Sequence, residues 1–363
     1  MTIDIGIIGL AKSGKTTIFN ALTRGKADTR SLALHIGVAK VPEPRLQVLA
    51  DMLHPKKVVP AEVSYTDIGA SVKDLGGGKG VGGQILNQLS DADALINVVR
   101  TFTNESIPHI EGSLDVDRDI ATTNLELTLH DLGIISRRLE RIETSLKAAK
   151  PAERQALLPE QKLLTRLKAA LEKEVPIREI GVSADEARLM ANYQFLTAKP
   201  MLIVVNIGEE QIAQAASMEA ELVSHYSRAG SKVITLCGEL EMEITQLDDE
   251  AAGAFRAEYC LPESGLEHVV ELSYELLGLI SFFTTVSDEM KAWSIPKGTT
   301  ALKAAGKIHS DIERGFIRAE VISYNDLMKC GAMAAAHKKG LLRLEGKGYT
   351  VQDGDVITFL FNV

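Results

Sequence analysis

Between the apolar stretch Ile3–Ile8 and a segment with helical spacing, Thr16–Leu22, lies GLAKSGKT, Gly9 to Thr16. It matches GxxxxGK[ST] in full and sits in the strand–loop–helix context that gives the pattern its meaning. The glycines let backbone N–H groups curl around a phosphate, and the helix N-terminus adds its partial positive charge. Gly9, Leu10, Ala11, Lys12, Ser13, Gly14, Lys15, Thr16 and Thr17 are therefore candidate nucleotide-binding residues. Lys15 is expected to reach the β- and γ-phosphates, and Thr16 to place its hydroxyl on Mg2+. Lys12 stands inside the loop, where a built-in cation would offset transition-state charge as an arginine finger does. A surface lysine is the bland alternative.

A loop of this kind calls for a sheet, and the chain supplies one. Buried strands are expected at AEVSYT (61–66), ALINVV (94–99), MLIVVN (201–206) and KVITLC (232–237), with helical segments between most of them. That alternation argues for a parallel-rich α/β sheet with helices on both faces. One connection is too long for a crossover. From about Arg118 to Val175 the chain is rich in Leu, Arg and Glu, and Pro151 and Pro159 are read as bracketing a turn. The pattern is an antiparallel helical hairpin inserted into the nucleotide domain. Near Ser281 the texture changes to short strands separated by Gly, Asp and Lys turns, which suggests a small α+β module. The expected division is 1–117 with 185–280 as the nucleotide-binding domain, 118–184 as the helical insert, and 281–363 as the C-terminal module.

Charge and cysteine usage narrow the class further. A net charge of −9 disfavours a protein that coats nucleic acid with its whole surface. Residues 281–363, with 11 Lys and Arg against 9 Asp and Glu, are mildly basic and form the better candidate for meeting RNA. No membrane span or signal peptide is expected, nor any reading of DNA sequence. Cys237, Cys260 and Cys330 show no CxxC spacing, which fits a reducing cytoplasm.

Other candidates follow from the strand ends. Asp67, in SYTDIGA, is the expected metal-side carboxylate. Ser71, two places after Gly69, could bond a water, though a solvated loop serine is the plainer reading. His109, in SIPHIEG, could position or deprotonate water, though a structural or simply exposed loop histidine is the commoner case. Asn206, Ile207 and Glu209, in VVNIGEE, occupy the place where GTP-binding proteins write Asn-Lys-x-Asp. Cys237 and Gly238, at the end of the last strand, complete the nucleotide set. Guanine offers two adjacent donors to a short Asp; the longer Glu209 disturbs that geometry, and Asn206 can pair with N7 or N6 of adenine. A mismatch costs about 1–3 kcal/mol, so a preference for ATP with weaker GTP binding is expected.

The loop GLAKSGKTT, the run VPEPRLQVLADM, HIEGSLDVDRDI, VVNIGE and the tail AGKIHSDIERGFIRAEVISYNDL…LRLEGKGYTVQDGDVITFLFNV resemble the YchF family of Obg-like ATPases nearly end to end. The resemblance implies a nucleotide domain interrupted by a coiled-coil hairpin, a C-terminal TGS (β-grasp) domain, preference for ATP through N-x-x-E, and association with ribosomes. It also places His109 on a histidine of the family pattern. Departures fall in the nucleotide-sensing parts. Ala11 and Lys12 replace Pro and Asn of the family loop, DIGA replaces DxAG, and Ser31 stands at the Thr place of the first switch, as a candidate Mg2+ ligand. The expected function is a slow Mg2+-dependent ATPase switch acting at the ribosome or on RNA. The alternative is a non-hydrolysing nucleotide-binding adaptor.

Overall fold

The computed structural model describes residues 3–28, 34–73, 86, 88–259, 261, 264–286 and 288–362. The first sheet has six strands in the order β2-β4-β1-β5-β6-β7. These are β1 (Ile3–Gly9), β2 (Leu34–Lys40), β4 (Glu62–Ile68), β5 (Ala94–Arg100), β6 (Met201–Asn206) and β7 (Ser231–Leu236). β1 pairs with β5, β5 with β6, and β6 with β7, all parallel. β5 and β6 are buried at every residue, as strands covered on both faces must be, which is why they read as unbroken apolar runs.

Helix α1 (Lys15–Thr23) leaves the phosphate loop directly. Helix α2 (Pro44–Leu53) is capped by Glu43, whose carboxylate accepts from Arg45 N–H. The inserted hairpin is made of α3 (Val116–Ala148) and α4 (Pro151–Leu171), joined by Ala149 and Lys150. Asp115 caps α3 by accepting from Arg118 N–H at 3.0 Å. Ile135 and Ile142 of α3 meet Leu163, Leu164, Leu167 and Leu171 of α4 in a core of their own. Pro151 occupies the first turn of α4, where its missing N–H costs nothing. Pro159 does not flank the turn, contrary to the sequence reading. It lies within α4 at an exposed position, where one intrahelical bond is given up on the solvent side.

The hairpin root is fixed by a buried carboxylate and a half-buried guanidinium. Asp131 is fully buried and accepts from Leu196 N–H (3.1 Å), Thr197 N–H (2.8 Å) and Thr197 Oγ1 (2.6 Å). Arg178 donates to Asn124 Oδ1 on α3 at 3.0 Å, to Thr197 O at 3.3 Å and to Ser231 Oγ on β7 at 3.1 Å. Burial pulls the Arg178 guanidinium down to about 10, which still leaves it charged at neutral pH.

The second sheet has the order β11-β10-β12-β8-β9-β3. β8 (Leu279–Val286) and β9 (Glu289–Pro296) form a long antiparallel hairpin, and β10 (Phe316–Ser323) pairs antiparallel with both β11 (Arg343–Glu345) and β12 (Asp355–Phe361). β12 runs parallel to β8, and the helix Ala301–Ile308 packs on Phe282, Ala319, Val321 and Ile357. That order, with a helix crossing one face, is a β-grasp. β3 (Lys57–Val59) extends it, lying parallel to β9. The chain divides into two compact units: residues 1–3, 38–63 and 267–363 in one, and residues 4–37 and 64–266 in the other. Arg45 anchors α2 within the first of these, bridging Glu43 and Asp353 at 2.7 Å each.

Replacing Asp131 by Ala leaves three buried donors without an acceptor, each worth about 1–3 kcal/mol. The expected result is a loss of about 3 kcal/mol or more of unfolding free energy in a urea titration followed by circular dichroism. A loss below about 1 kcal/mol would mean the hairpin root is held by packing alone.

Candidate nucleotide site

The parallel register of β1, β5, β6 and β7 brings their carboxyl ends to one edge, where Gly9 lies beside Val98, Arg100 beside Asn206, and Asn206 beside Leu236. Ligands of open α/β sheets bind at such an edge. The loop Gly9–Thr16 curls there through three positive φ angles, at Gly9 (148°), Lys12 (64°) and Gly14 (94°). Two of these need glycine for space as well as for backbone freedom. A Cβ on Gly9 would lie 2.4 Å from Val98 O, and one on Gly14 would lie 2.2 Å from Asn206 Nδ2. Lys12 has neither excuse: it adopts the left-handed conformation at some strain and projects an exposed side chain.

Lys15 is buried, and its ammonium donates to Gly9 O at 3.2 Å and Leu10 O at 2.9 Å, drawing the loop closed on itself. Thr16 Oγ1 donates to Asp67 Oδ2 at 2.7 Å. Asp67 is fully buried, and its second oxygen has no hydrogen-bond partner among the described residues. Burial raises its carboxyl above the usual range, while the Thr16 hydroxyl and the Lys15 ammonium pull the other way. A buried carboxylate oxygen left unpaired is costly unless a cation completes it. Beside a threonine hydroxyl, it is a hard-oxygen pair suited to Mg2+.

Asn206 sits at the centre of the edge. Its Nδ2 donates to Ser13 O at 3.0 Å and its Oδ1 accepts from Gly238 N–H at 2.9 Å. The side chain thus ties the phosphate loop to the turn after β7. Glu209 follows at an exposed position. Ile207, the residue standing in the lysine slot, is only 2% exposed and packs in the main apolar core with Leu10, Val205 and Leu240. It does not lie along an open base site. Cys237 is buried and its thiol is pushed up by burial; it immediately precedes the helix Gly238–Ile244. Thr17 and Ala11 are half-buried in the loop, and Leu10 points into the core.

Two candidates are enclosed by the protein. His109 is held on both sides of its ring. Its Nε2 pairs with Asp119 Oδ2 at 2.9 Å and its Nδ1 accepts from Glu111 N–H at 3.2 Å, so both ring nitrogens are engaged and the side chain is 6% exposed. Asp119 also holds Arg118 at 2.7 Å, so this histidine joins the loop after β5 to the first turn of α3. Ser71 is not a solvated loop serine: it is 5% exposed, between Ala70 and Val72, which enter the core. Ser31 lies outside the described residues.

Arg100 and Phe102, which no sequence motif singles out, also lie at this edge. Arg100 is 2% exposed, donates from Nε to Phe102 O at 3.0 Å, and holds its guanidinium 4.3 Å from the Phe102 ring centre. Phe102 in turn comes within 3.9 Å of the position a Gly14 Cβ would take. A charged residue closing the otherwise apolar strand ALINVVR was the available signal.

Known proteins match this chain over its whole length. A curated "Ribosome-binding ATPase YchF" from Bacillus subtilis is 40% identical over 370 residues, covering 100% of both chains. Its namesake from Escherichia coli O157:H7 is 36% identical, again over the whole of each. The chain belongs to the YchF family. A family model named YchF-GTPase_C, described as "Protein of unknown function (DUF933)", matches residues 279–362. The solved YchF GTPase of Schizosaccharomyces pombe superposes with a TM-score of 0.84 at 27% identity, covering 99% of this chain and 98% of that one. A GTP-binding protein of Pyrococcus horikoshii shares the fold, with a TM-score of 0.61 at 18% identity, covering 99% of this chain and 100% of that one. This chain is a P-loop NTPase of the YchF family.

Gly14→Ala should reduce nucleotide affinity at least tenfold, because the loop must open to admit the methyl group against Asn206. Equilibrium dialysis with radiolabelled ATP reads this directly; unaltered affinity would mean the curl seen here is not the binding conformation.

Proposed function

We propose that this chain is a Mg2+-dependent ATPase that uses GTP less well and acts as a slow conformational switch at the ribosome. The observation that carries the reading is the Lys15–Thr16–Asp67 constellation, with a buried carboxylate oxygen that a cation would complete. Relatives that match this chain over its whole length are named ribosome-binding ATPases, which supports the ribosome as partner.

On this reading, the loop amides and Lys15 bind phosphate, the ammonium leaving the Gly9 and Leu10 carbonyls as it does so. Thr16 and Asp67 would hold Mg2+, with Ser31 as a further ligand; the ion neutralises phosphate charge when bound. Asn206, already spanning Ser13 and Gly238, sets the floor of the base site, and Glu209 supplies the carboxylate that distinguishes adenine from guanine. Lys12 is the proposed internal cation. The nucleotide domain (1–117 and 185–280) would pass its state to the helical insert (118–184) and the TGS-like domain (281–363), which meet the ribosome or RNA. No helix among the described residues is long and apolar enough to cross a membrane; a cytoplasmic location is part of the proposal.

A non-hydrolysing adaptor is the second reading. It is favoured by the enclosure of His109 and Ser71, the two side chains that could have managed a water.

Phosphate release with saturating Mg2+ATP or Mg2+GTP, against Lys15→Ala as blank, separates the two. Release above the blank, faster with ATP, is expected, and Lys12→Ala should slow it more than it weakens binding. No release with ATP still bound would leave the adaptor. Glu209→Asp alone should move the ATP:GTP preference toward GTP by up to about tenfold. Position 207 is unsuitable for this purpose, since a lysine there would be buried in the core.

Asp67 gives a pH signature. Its raised pKa means that a proton competes for the carboxylate at a higher pH than at an ordinary aspartate. Mg2+-dependent tightening of ATP binding should therefore fade on acidification before the usual carboxylate range is reached, and Asp67→Asn should lack both the tightening and its pH dependence. In the metal-free protein the sign for stability is opposite: the contribution of this group is present at low pH and lost as pH rises through the raised pKa.

A further inference from the structure

The compact unit formed by residues 1–3, 38–63 and 267–363 contains a cavity of about 250 Å³ that plays no part in the site described above. It opens where two strands part company. β3 pairs with β9 only from Lys57 opposite Glu289 to Val59 opposite Lys291. Pro60 then turns the chain away, and among the described strands none takes up the edge of β9 beyond Lys291 on that side. The gap is lined by Val59, Pro60 and Glu62 on one wall and by Lys291, Trp293 and Ser294 on the other, with Lys307 also in the lining, so that two lysines face one carboxylate.

Its aromatic wall is rigidly held. Trp293 donates from Nε1 to Thr284 Oγ1 at 2.9 Å and lies nearly parallel to Phe282, at 16° with ring centres 6.5 Å apart. Lys291 places its ammonium 4.0 Å from the Trp293 ring centre. Ser294 is hydrogen-bonded to Tyr274. A fixed indole, a lysine ammonium over its face and a second lysine in the lining, together outweighing the single carboxylate of Glu62, suit a planar ring bearing a negative group.

We propose that this cavity is a second nucleotide site, taking one base with its phosphate: the base stacks on Trp293, and Lys291 moves from the ring to the phosphate together with Lys307. The ligand's source is either a free mononucleotide or one unpaired residue of an RNA strand. The same chemistry serves both. This inference does not depend on ATP hydrolysis at the phosphate loop.

Trp293 is the only tryptophan among 363 residues, so its emission reports this cavity directly. The experiment titrates the full-length Lys15→Ala variant, in which the phosphate loop is silenced, with a nucleoside 5′-monophosphate, the matching nucleoside and a short single-stranded oligouridylate. A parallel titration of the wild type guards against a folding defect in the variant. The expected result is a saturable change of emission with the monophosphate or the oligonucleotide, and weaker binding of the bare nucleoside. Lys291→Ala, an alteration of a partly exposed residue, should weaken the response about tenfold. Tighter response to the monophosphate identifies a free nucleotide as the occupant, and tighter response to the oligonucleotide an RNA strand. The proposal is overturned by emission that no probe changes in either protein. It is equally overturned by a saturable change that the Lys291→Ala, Lys307→Ala double variant leaves intact.

Discussion

The nucleotide edge of this protein depends on one carboxamide. Asn206 ends β6 with its donor on Ser13 O and its acceptor on Gly238 N–H, so the loop after β1 and the turn after β7 are held by the same side chain. Both polar ends of the amide are used, and the residue is buried, which makes each bond worth more than it would be in water. The position of Gly14 follows from this contact. The loop can pass over the amide only because no Cβ is there. Lys15, Thr16 and Asp67 then fall into place behind it: a helix that begins at Lys15 has its first turn aimed by the loop, and the Thr16 hydroxyl meets the carboxylate at the end of β4.

Much of this was legible before the structure. The strands at 94–99, 201–206 and 232–237 were readable as apolar runs because parallel strands buried on both faces have no polar side to show. The phosphate loop was readable because its glycines are required by backbone conformation. The hairpin was readable from a connection too long for a crossover and from its Leu-, Arg- and Glu-rich texture, whereas Pro159 misled because a single proline breaks a helix less surely when it faces solvent. What stayed hidden has a common cause. The places of His109, Ser71 and Ile207 along the edge can be counted, but the direction of their side chains cannot. His109 turned out to face Asp119, a residue ten places on in the first turn of α3, and Ile207 to face the core. Arg100 was missed for the opposite reason: a cation at a strand end reads as solvated, yet here it stands 2% exposed under an aromatic ring.

The His109–Asp119 pair also changes what the loop after β5 can be doing. One end of that loop is Phe102, beside Gly14; the other is sealed to the first turn of α3, with Lys73 and Glu111 forming a further ion pair between the segment after β4 and the same loop. The loop is thus tied by ion pairs both to the segment after β4 and to the root of the hairpin, and begins next to the phosphate loop.

The short strand β3 has a consequence for how this architecture can be rearranged. The chain leaves the first sheet at the end of β2, gives three residues to the second sheet, and returns through β4. The β-grasp sheet is thus completed by residues that precede it by more than two hundred positions. Cutting the chain ahead of β8 would strip β3 and α2 of the surfaces they cover, and grafting residues 281–363 onto another protein would leave the outer edge of β9 bare. Domain shuffling works with segments that are continuous in sequence. A module whose edge strand is borrowed from an early stretch of the same gene leaves that strand behind when it travels alone, and must cover the edge of β9 by other means.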